Sequence, residues 1–162
     1  MSSTTVLRPA PAGFDFGILL GLAYQTFVAE LNARLAAAGF GDIRPGFGYV
    51  FRALAERPLT AAQLAAQLGV TPQAAGKLVQ QMVGADYVQR QPDPQDGRLQ
   101  WLALAPRGQR ALSTARAIHH ALEQQLAAQV GAERVSSLRA VLTTFVEQTA
   151  PPGSAARTLR LP

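Results

Sequence analysis

Between Leu59 and Arg107 the chain is punctuated so closely that few folds remain open to it. Thr60-Ala-Ala-Gln63 has the form of a capping box, in which the Thr60 hydroxyl accepts from the Gln63 amide and Gln63 reaches back to Thr60. Leu64 and Leu68 then fall on one helical face, and Gly69 supplies a stop. After Val70, Thr71-Pro72 restarts a helix, with Thr71 as N-cap and Pro72 at the first helical position. Two short helices across a tight glycine turn make a helix-turn-helix outline.

The second helix, about Pro72 to Ala85, divides into two faces. Ala75, Leu78, Val79 and Met82 form one stripe and are expected to be buried. Gln73, Lys77, Gln80, Gln81 and Gly84 fall on the other, with Ala74 beside them. A solvent-facing helix ordinarily mixes Glu with Lys; this face has no acid, three glutamines and the only lysine in the chain. Glutamine pairs with the adenine edge and lysine with guanine, so the face suits a DNA major groove. A merely polar surface would use the same residues, so the helix alone does not decide.

Tyr87 to Gln91 and Leu99 to Leu104 read as strands, rich in Tyr, Val, Trp and Leu. Between them runs Pro92-Asp-Pro-Gln-Asp-Gly-Arg98, a turn-forming loop. The order helix-turn-helix, Asp93-Pro94-Gln95-Asp96-Gly97-Arg98, strand, Pro106-Arg107-Gly108 resembles the MarR family of winged-helix regulators, whose wing has an Asp-Pro-x-Asp-x-Arg signature. The resemblance runs from about Phe16 to Glu147. It implies a mainly α fold with a small β-hairpin (α+β), a winged helix-turn-helix flanked by N- and C-terminal dimerisation helices.

In a fold of that kind the hairpin beside the reading helix meets the backbone or the adjacent minor groove, where narrow A·T segments attract arginine. The resemblance assigns that role to Arg98, held by Asp96, with Arg90 on the strand leading into the wing and Thr71 bringing the helix N-terminus near phosphate. The plainer alternative makes Asp96-Gly97 a hairpin turn and Arg98 a solvated charge. The expected DNA-contacting set is Thr71, Gln73, Ala74, Lys77, Gln80, Gln81, Arg90, Asp96 and Arg98.

Composition agrees. The 162 residues carry a net charge of +5 and a sequence pI of about 10.7, as suits a nucleic-acid binder. Fourteen of the fifteen basic residues are arginine, favouring forked phosphate contacts. Charged residues are only 15%, so this is a folded domain and not a polycationic tail. With no cysteine, disulfides and thiol-based redox sensing are excluded.

Taken in order, residues 1–14 are expected to be a flexible arm, with Arg8 near its middle, and 15–58 the N-terminal helices. Phe16 to Tyr24 imitates the core of a signal peptide, but the pattern continues through Phe27, Leu31 and Leu35 among polar residues and ends at Gly39. It is read as an amphipathic helix of a cytoplasmic protein, with nothing approaching the length of a membrane span. Pro45 is expected to open the next helix, whose apolar side is Phe47, Val50, Phe51 and Leu54. Residues 59–105 form the winged region. Two departures from the family pattern stand out: Ala105 replaces the usual helix-starting hydroxyl, and Asp86-Tyr87 stands where the family tends to have Gly-Leu or Gly-Tyr.

Residues 106–149 hold two helices, Pro106 to Val130 and Glu133 to Gln148, broken at Gly131. Ala115, Ile118, Leu122 and Leu126 stripe the first; Val135, Leu138, Leu142 and Phe145 stripe the second. A stripe this long is hard for one chain to cover, and the resemblance implies an interlocked twofold homodimer on a near-palindromic site; the alternative is a monomer whose terminal helices fold back on their own core. Residues 150–162 are expected to be a flexible tail, where Leu159 and Leu161 could pack on the partner subunit.

No catalytic constellation, metal site or cofactor is expected. His119 and His120 are adjacent on one helix, about 100° apart, and cannot share a metal ion well. The resemblance implies a small aromatic or phenolic effector, in a pocket that Phe16, Tyr24, Phe47, Tyr49, Phe51 and Met82 could line; ordinary core aromatics would look the same. The expected function is a sequence-specific DNA-binding regulator, in its family more often a repressor. Two other classes remain open: a winged helix used for protein assembly, and a small-molecule binder using the dimer cavity.

Overall fold

The structure, a computed structural model, describes residues 13–97 and 99–149. Arg8, Arg98, the first twelve residues of the expected arm and the whole expected tail, 150–162, lie outside the described residues.

The elements in chain order are helix α1 (Phe16–Leu35), helix α2 (Phe47–Glu56), strand β1 (Leu59–Thr60), helices α3 (Ala61–Leu68) and α4 (Pro72–Gly84), strands β2 (Val88–Pro92) and β3 (Gln100–Leu104), and helices α5 (Pro106–Val130) and α6 (Ala132–Thr149). They fall into two compact units: residues 42–114, which hold the winged helix, and residues up to Gly41 together with 115–149, which are helical. Helix α2, grouped above with the N-terminal helices, belongs to the winged unit.

Local sequence explains the winged unit's start. The capping box forms, with the Gln63 amide donating to Thr60 Oγ1 at 3.3 Å and the Thr60 amide to Gln63 Oε1 at 3.0 Å. Gly69 ends α3 at φ 66°, a left-handed conformation that lets Val70 N–H donate back to Ala65 O at 3.1 Å. Thr71 Oγ1 accepts from the Ala74 amide at 3.2 Å, and Pro72 opens α4. At the far end Tyr87 N–H donates to Met82 O at 2.8 Å and Asp86 N–H to Val83 O at 3.0 Å, the same closing motif as at Gly69. Here, however, Asp86 holds the left-handed position, at φ 59°.

The strands form one antiparallel sheet in the order β1-β3-β2. Leu59 pairs with Leu102 and Val88 with Leu104. The core gathers Phe47, Val50, Phe51 and Leu54 from α2, Leu64 and Leu68 from α3, Val79 and Met82 from α4, and Tyr87, Val88, Leu102 and Leu104 around the sheet. Phe47, Phe51 and Tyr87 pack edge to face, their ring centroids 5.4 to 6.4 Å apart, and each such pair contributes about 0.5–1.5 kcal/mol beyond its burial.

The helical unit is built differently. Leu35, Ile118 and Val135 are its buried apolar residues, while Phe16, Ile18, Leu19, Leu22, Tyr24, Leu126, Leu138, Val141, Phe145 and Val146 are exposed. Inside it Phe27 stacks on His119 at 5.1 Å, Arg34 donates to Glu30 at 2.7 Å and to Gln125 at 2.9 Å, and Arg139 pairs closely with Glu123.

Four expectations need correction. Helix α2 opens at Phe47, not Pro45, because Gly46 at φ 92° makes the turn that precedes it. The hairpin gains a third strand, β1, whose two residues owe their conformation to β3. Apolar side chains ring the first half of α1 instead of making an amphipathic stripe. Finally, Phe16–Phe40 is a helical stretch of 25 residues, kinked at Gly39 (φ 89°), that by length and composition alone is long and apolar enough to cross a membrane, where no stretch of that length was expected.

Candidate nucleic-acid interface

Helix α4 shows two chemically separate faces. Ala75, Val79 and Met82 are fully buried, and Leu78, expected with them, is half-buried at the edge of the stripe. Gln73, Ala74, Lys77, Gln80 and Gly84 are exposed, and Gln81 is half-buried. The exposed row from Gln73 to Gln80 therefore keeps donors and acceptors over about two turns with no carboxylate among them. The N-terminal amides add partial positive charge, which favours an anion near Thr71.

The wing stands beside this helix in sequence and belongs to the same unit. Strand β2 is an edge strand, and Gln89, Arg90, Gln91 and Pro92 are all exposed on it, so its polar side chains face water on both sides. The loop beyond β2 is organised by Asp93. Its carboxylate accepts from Trp101 Nε1 at 2.7 Å, from the Gln95 amide at 2.7 Å and from the Asp96 amide at 3.0 Å. These bonds, the indole's foremost, hold the carboxyl below the ordinary aspartate range. Backbone bonds from Asp93 N–H to Leu99 O at 3.0 Å and from Leu99 N–H to Asp96 O at 2.9 Å close the loop. Asp96 thus sits, exposed, in a loop whose shape Asp93 and Trp101 set.

Of the expected contact residues, Thr71, Gln73, Ala74, Lys77, Gln80 and Gln81 share helix α4 and its cap, Arg90 and Asp96 lie on the wing, and Arg98 is outside the described residues. The expected pocket residues are divided between the two units. Phe47, Phe51 and Met82 are buried in the winged unit's core, Tyr49 is half-buried there, and Phe16 and Tyr24 are exposed on α1 in the helical unit. Among the described residues no group of three or more His, Cys, Asp or Glu gathers as a metal site would require.

Sequence reasoning missed two supports. One is the Trp101–Asp93 bond; an indole eight residues beyond a turn aspartate, on the returning strand, was the available signal. The other surrounds Tyr87, whose hydroxyl donates to Asp42 Oδ1 at 2.5 Å. Burial, reinforced by that bond, pushes the Tyr87 phenol up to about 12, and the same bond lowers Asp42.

Residues 48–99 match the model of the MarR family. No curated protein sequence matches the chain. Among solved structures, RV1404 from Mycobacterium tuberculosis is 26% identical with a TM-score of 0.71, over 88% of this chain and 100% of that one. MarR from E. coli, in its apo form, is 22% identical with a TM-score of 0.61, over 82% and 97%. A MepR mutant from S. aureus bound to an oligodeoxyribonucleotide is 21% identical with a TM-score of 0.60, over 85% and 99%.

Proposed function

We propose that the chain, whose residues 48–99 match the MarR family model, is a winged-helix protein of that family and a sequence-specific DNA-binding regulator acting as a homodimer on a near-palindromic operator. The observation that carries this reading is the acid-free exposed row Gln73, Lys77, Gln80 on α4, next in the chain to a wing edge bearing Arg90. Gln73, Lys77, Gln80 and Gln81 read base edges or neighbouring phosphates, Thr71 seats the helix N-terminus on phosphate, and Arg98 enters the minor groove. The S. aureus MepR mutant of similar fold was solved with an oligodeoxyribonucleotide, which supports duplex nucleic acid as the partner class.

The homodimer is supported by the exposed apolar side chains of α1 and α6, which water would otherwise have to cover. In this reading the protein represses by occupying its operator. A small aromatic effector would release it by favouring a spacing of the two reading helices that does not fit one turn of DNA.

A second reading, protein assembly without DNA, rests on the bareness of α4 at exposed Ala74 and at Gly76, where an added Cβ would meet nothing within 4 Å. A gel-shift with a fragment of the protein's own upstream region separates the two. DNA reading requires a shifted band that Lys77→Ala weakens with altered sequence preference. It also requires Arg98→Ala to weaken all sites and to flatten the log–log salt dependence by about one unit. An unshifted fragment, or an unchanged slope in Arg98→Ala, counts against it.

A further inference from the structure

The C-terminal end of α4 is held by side chains that no DNA-contacting role accounts for. Arg107, in the first turn of α5, points its fork inward: Nη1 donates to Ala85 O at 2.7 Å and Nη2 to Asp42 Oδ1 at 2.9 Å. Its guanidinium carbon lies 4.5 Å from the centre of the Tyr87 ring. Tyr87 in turn donates to the same Asp42 oxygen and packs its ring on Phe47 and Phe51. The backbone is tied at the same place, because Ala105 N–H donates to Tyr87 O at 3.0 Å. Gly108 is pressed so close that a Cβ there would lie 2.1 Å from that oxygen.

We propose that Arg107, braced by Asp42 and Tyr87, is a positioning residue that fixes the direction of α4 and hence the presentation of its reading face. A helix's last carbonyls lack partners within the helix, and Ala85, the C-cap, is supplied with one by Arg107. A cation at this end also complements the helix dipole. Finally, the fork is planar and rigid, so one side chain bonds Ala85 and Asp42 simultaneously, which lysine cannot do. Gln80, Gln81 and Gly84 lie in the last turns of α4, so a shift at Ala85 moves them against a groove that rewards alignment to fractions of an ångström. Both terminal nitrogens of Arg107 are already bonded within the winged unit.

This rests on the DNA-reading function above, and the test separates the two. Arg107→Met keeps the stem over the Tyr87 ring and removes both donors. Fluorescence anisotropy should show specific affinity falling about tenfold with non-specific affinity and the log–log salt slope unchanged, since no phosphate contact is lost. Arg107→Lys should recover part of the loss. A slope flatter by about one unit, or unchanged specific affinity, overturns the proposal.

Amide hydrogen exchange without DNA gives the second arm: Asp86 and Tyr87 amides should exchange about tenfold faster, while those of Leu64 and Leu68 keep their wild-type rates. A uniform rise across all four means a general folding role and overturns positioning; unchanged rates overturn the brace itself. If wild type binds no DNA, the regulator reading fails, and the exchange rates still decide whether Arg107 holds the end of α4.

Discussion

The winged unit and the helical unit put their apolar residues to opposite use. In the first, the large apolar side chains of α2, α3 and α4 converge on the sheet, and Leu99 is the one large apolar side chain exposed among its described residues. In the second, α1 and α6 expose Phe16, Ile18, Tyr24, Leu138, Val141, Phe145 and Val146, each more than half or nearly half accessible. A unit that closes its own core can present polar chemistry outward, as α4 and the wing do. A unit that leaves so much apolar surface uncovered offers a surface for a partner, and in our proposal that partner is a second copy of the chain.

The sharpest way to break this contrast is to put charge on the uncovered face. Leu138→Glu with Val141→Glu removes side chains worth about 1.5–3 kcal/mol each on burial, and twofold symmetry counts each twice. The dimer should weaken by at least about a thousandfold in light scattering, with the winged unit still folded by circular dichroism. A variant that stays dimeric would break the comparison.

The next effect belongs to the self-sufficient unit. Gly108→Ala drives a Cβ into the Tyr87 carbonyl and should cost about 2–3 kcal/mol in denaturant midpoint experiments. An equivalent replacement at Gly17, where an added Cβ meets nothing within 4 Å, should not destabilise the winged unit.

Tyr87 sharpens the point through pH. Its phenol is pushed up from 10.0 to about 12 by burial and by its bond to Asp42, so the neutral form is the one the fold favours. Its contribution is complete below pH 10 and is lost as pH rises through about 12. Ultraviolet difference absorbance should show one phenol titrating late, together with loss of the winged unit's near-ultraviolet dichroism. An ordinary midpoint would mean that Tyr87 is neither buried nor bonded to Asp42 in solution.

The smallest effect is expected at Asp86, whose left-handed conformation glycine adopts at lower cost: Asp86→Gly should raise stability by about 0.5–1 kcal/mol in thermal melts. A loss would show that the aspartate side chain is used.

How much of this was legible in the sequence follows from distance along the chain. The capping box at Thr60 and Gln63, the stop at Gly69, the start at Thr71-Pro72 and the break at Gly131 are set by residues a few positions apart, and the sequence announces them. The acid-free row of α4 was legible for the same reason, because helical spacing alone puts Gln73, Lys77 and Gln80 on one face.

Strand β1 was not, since two residues become a strand only by meeting Leu102 and Trp101 about forty positions later. Nor was the brace at Arg107, which joins groups 65 and 22 residues away. The amphipathic reading of α1 failed differently: its polar residues Gln25, Glu30, Asn32 and Arg34 begin only halfway along, and the first half is apolar all round.

The central claim is that α4 and the wing clasp duplex DNA twice, by symmetry. Hydroxyl-radical footprinting on the protein's own upstream region tests it most directly. The account predicts two protected patches with centres about one helical turn apart, both lost together in Leu138→Glu with Val141→Glu. Protection of one patch by wild type, or none at protein concentrations that saturate a gel-shift, would contradict it.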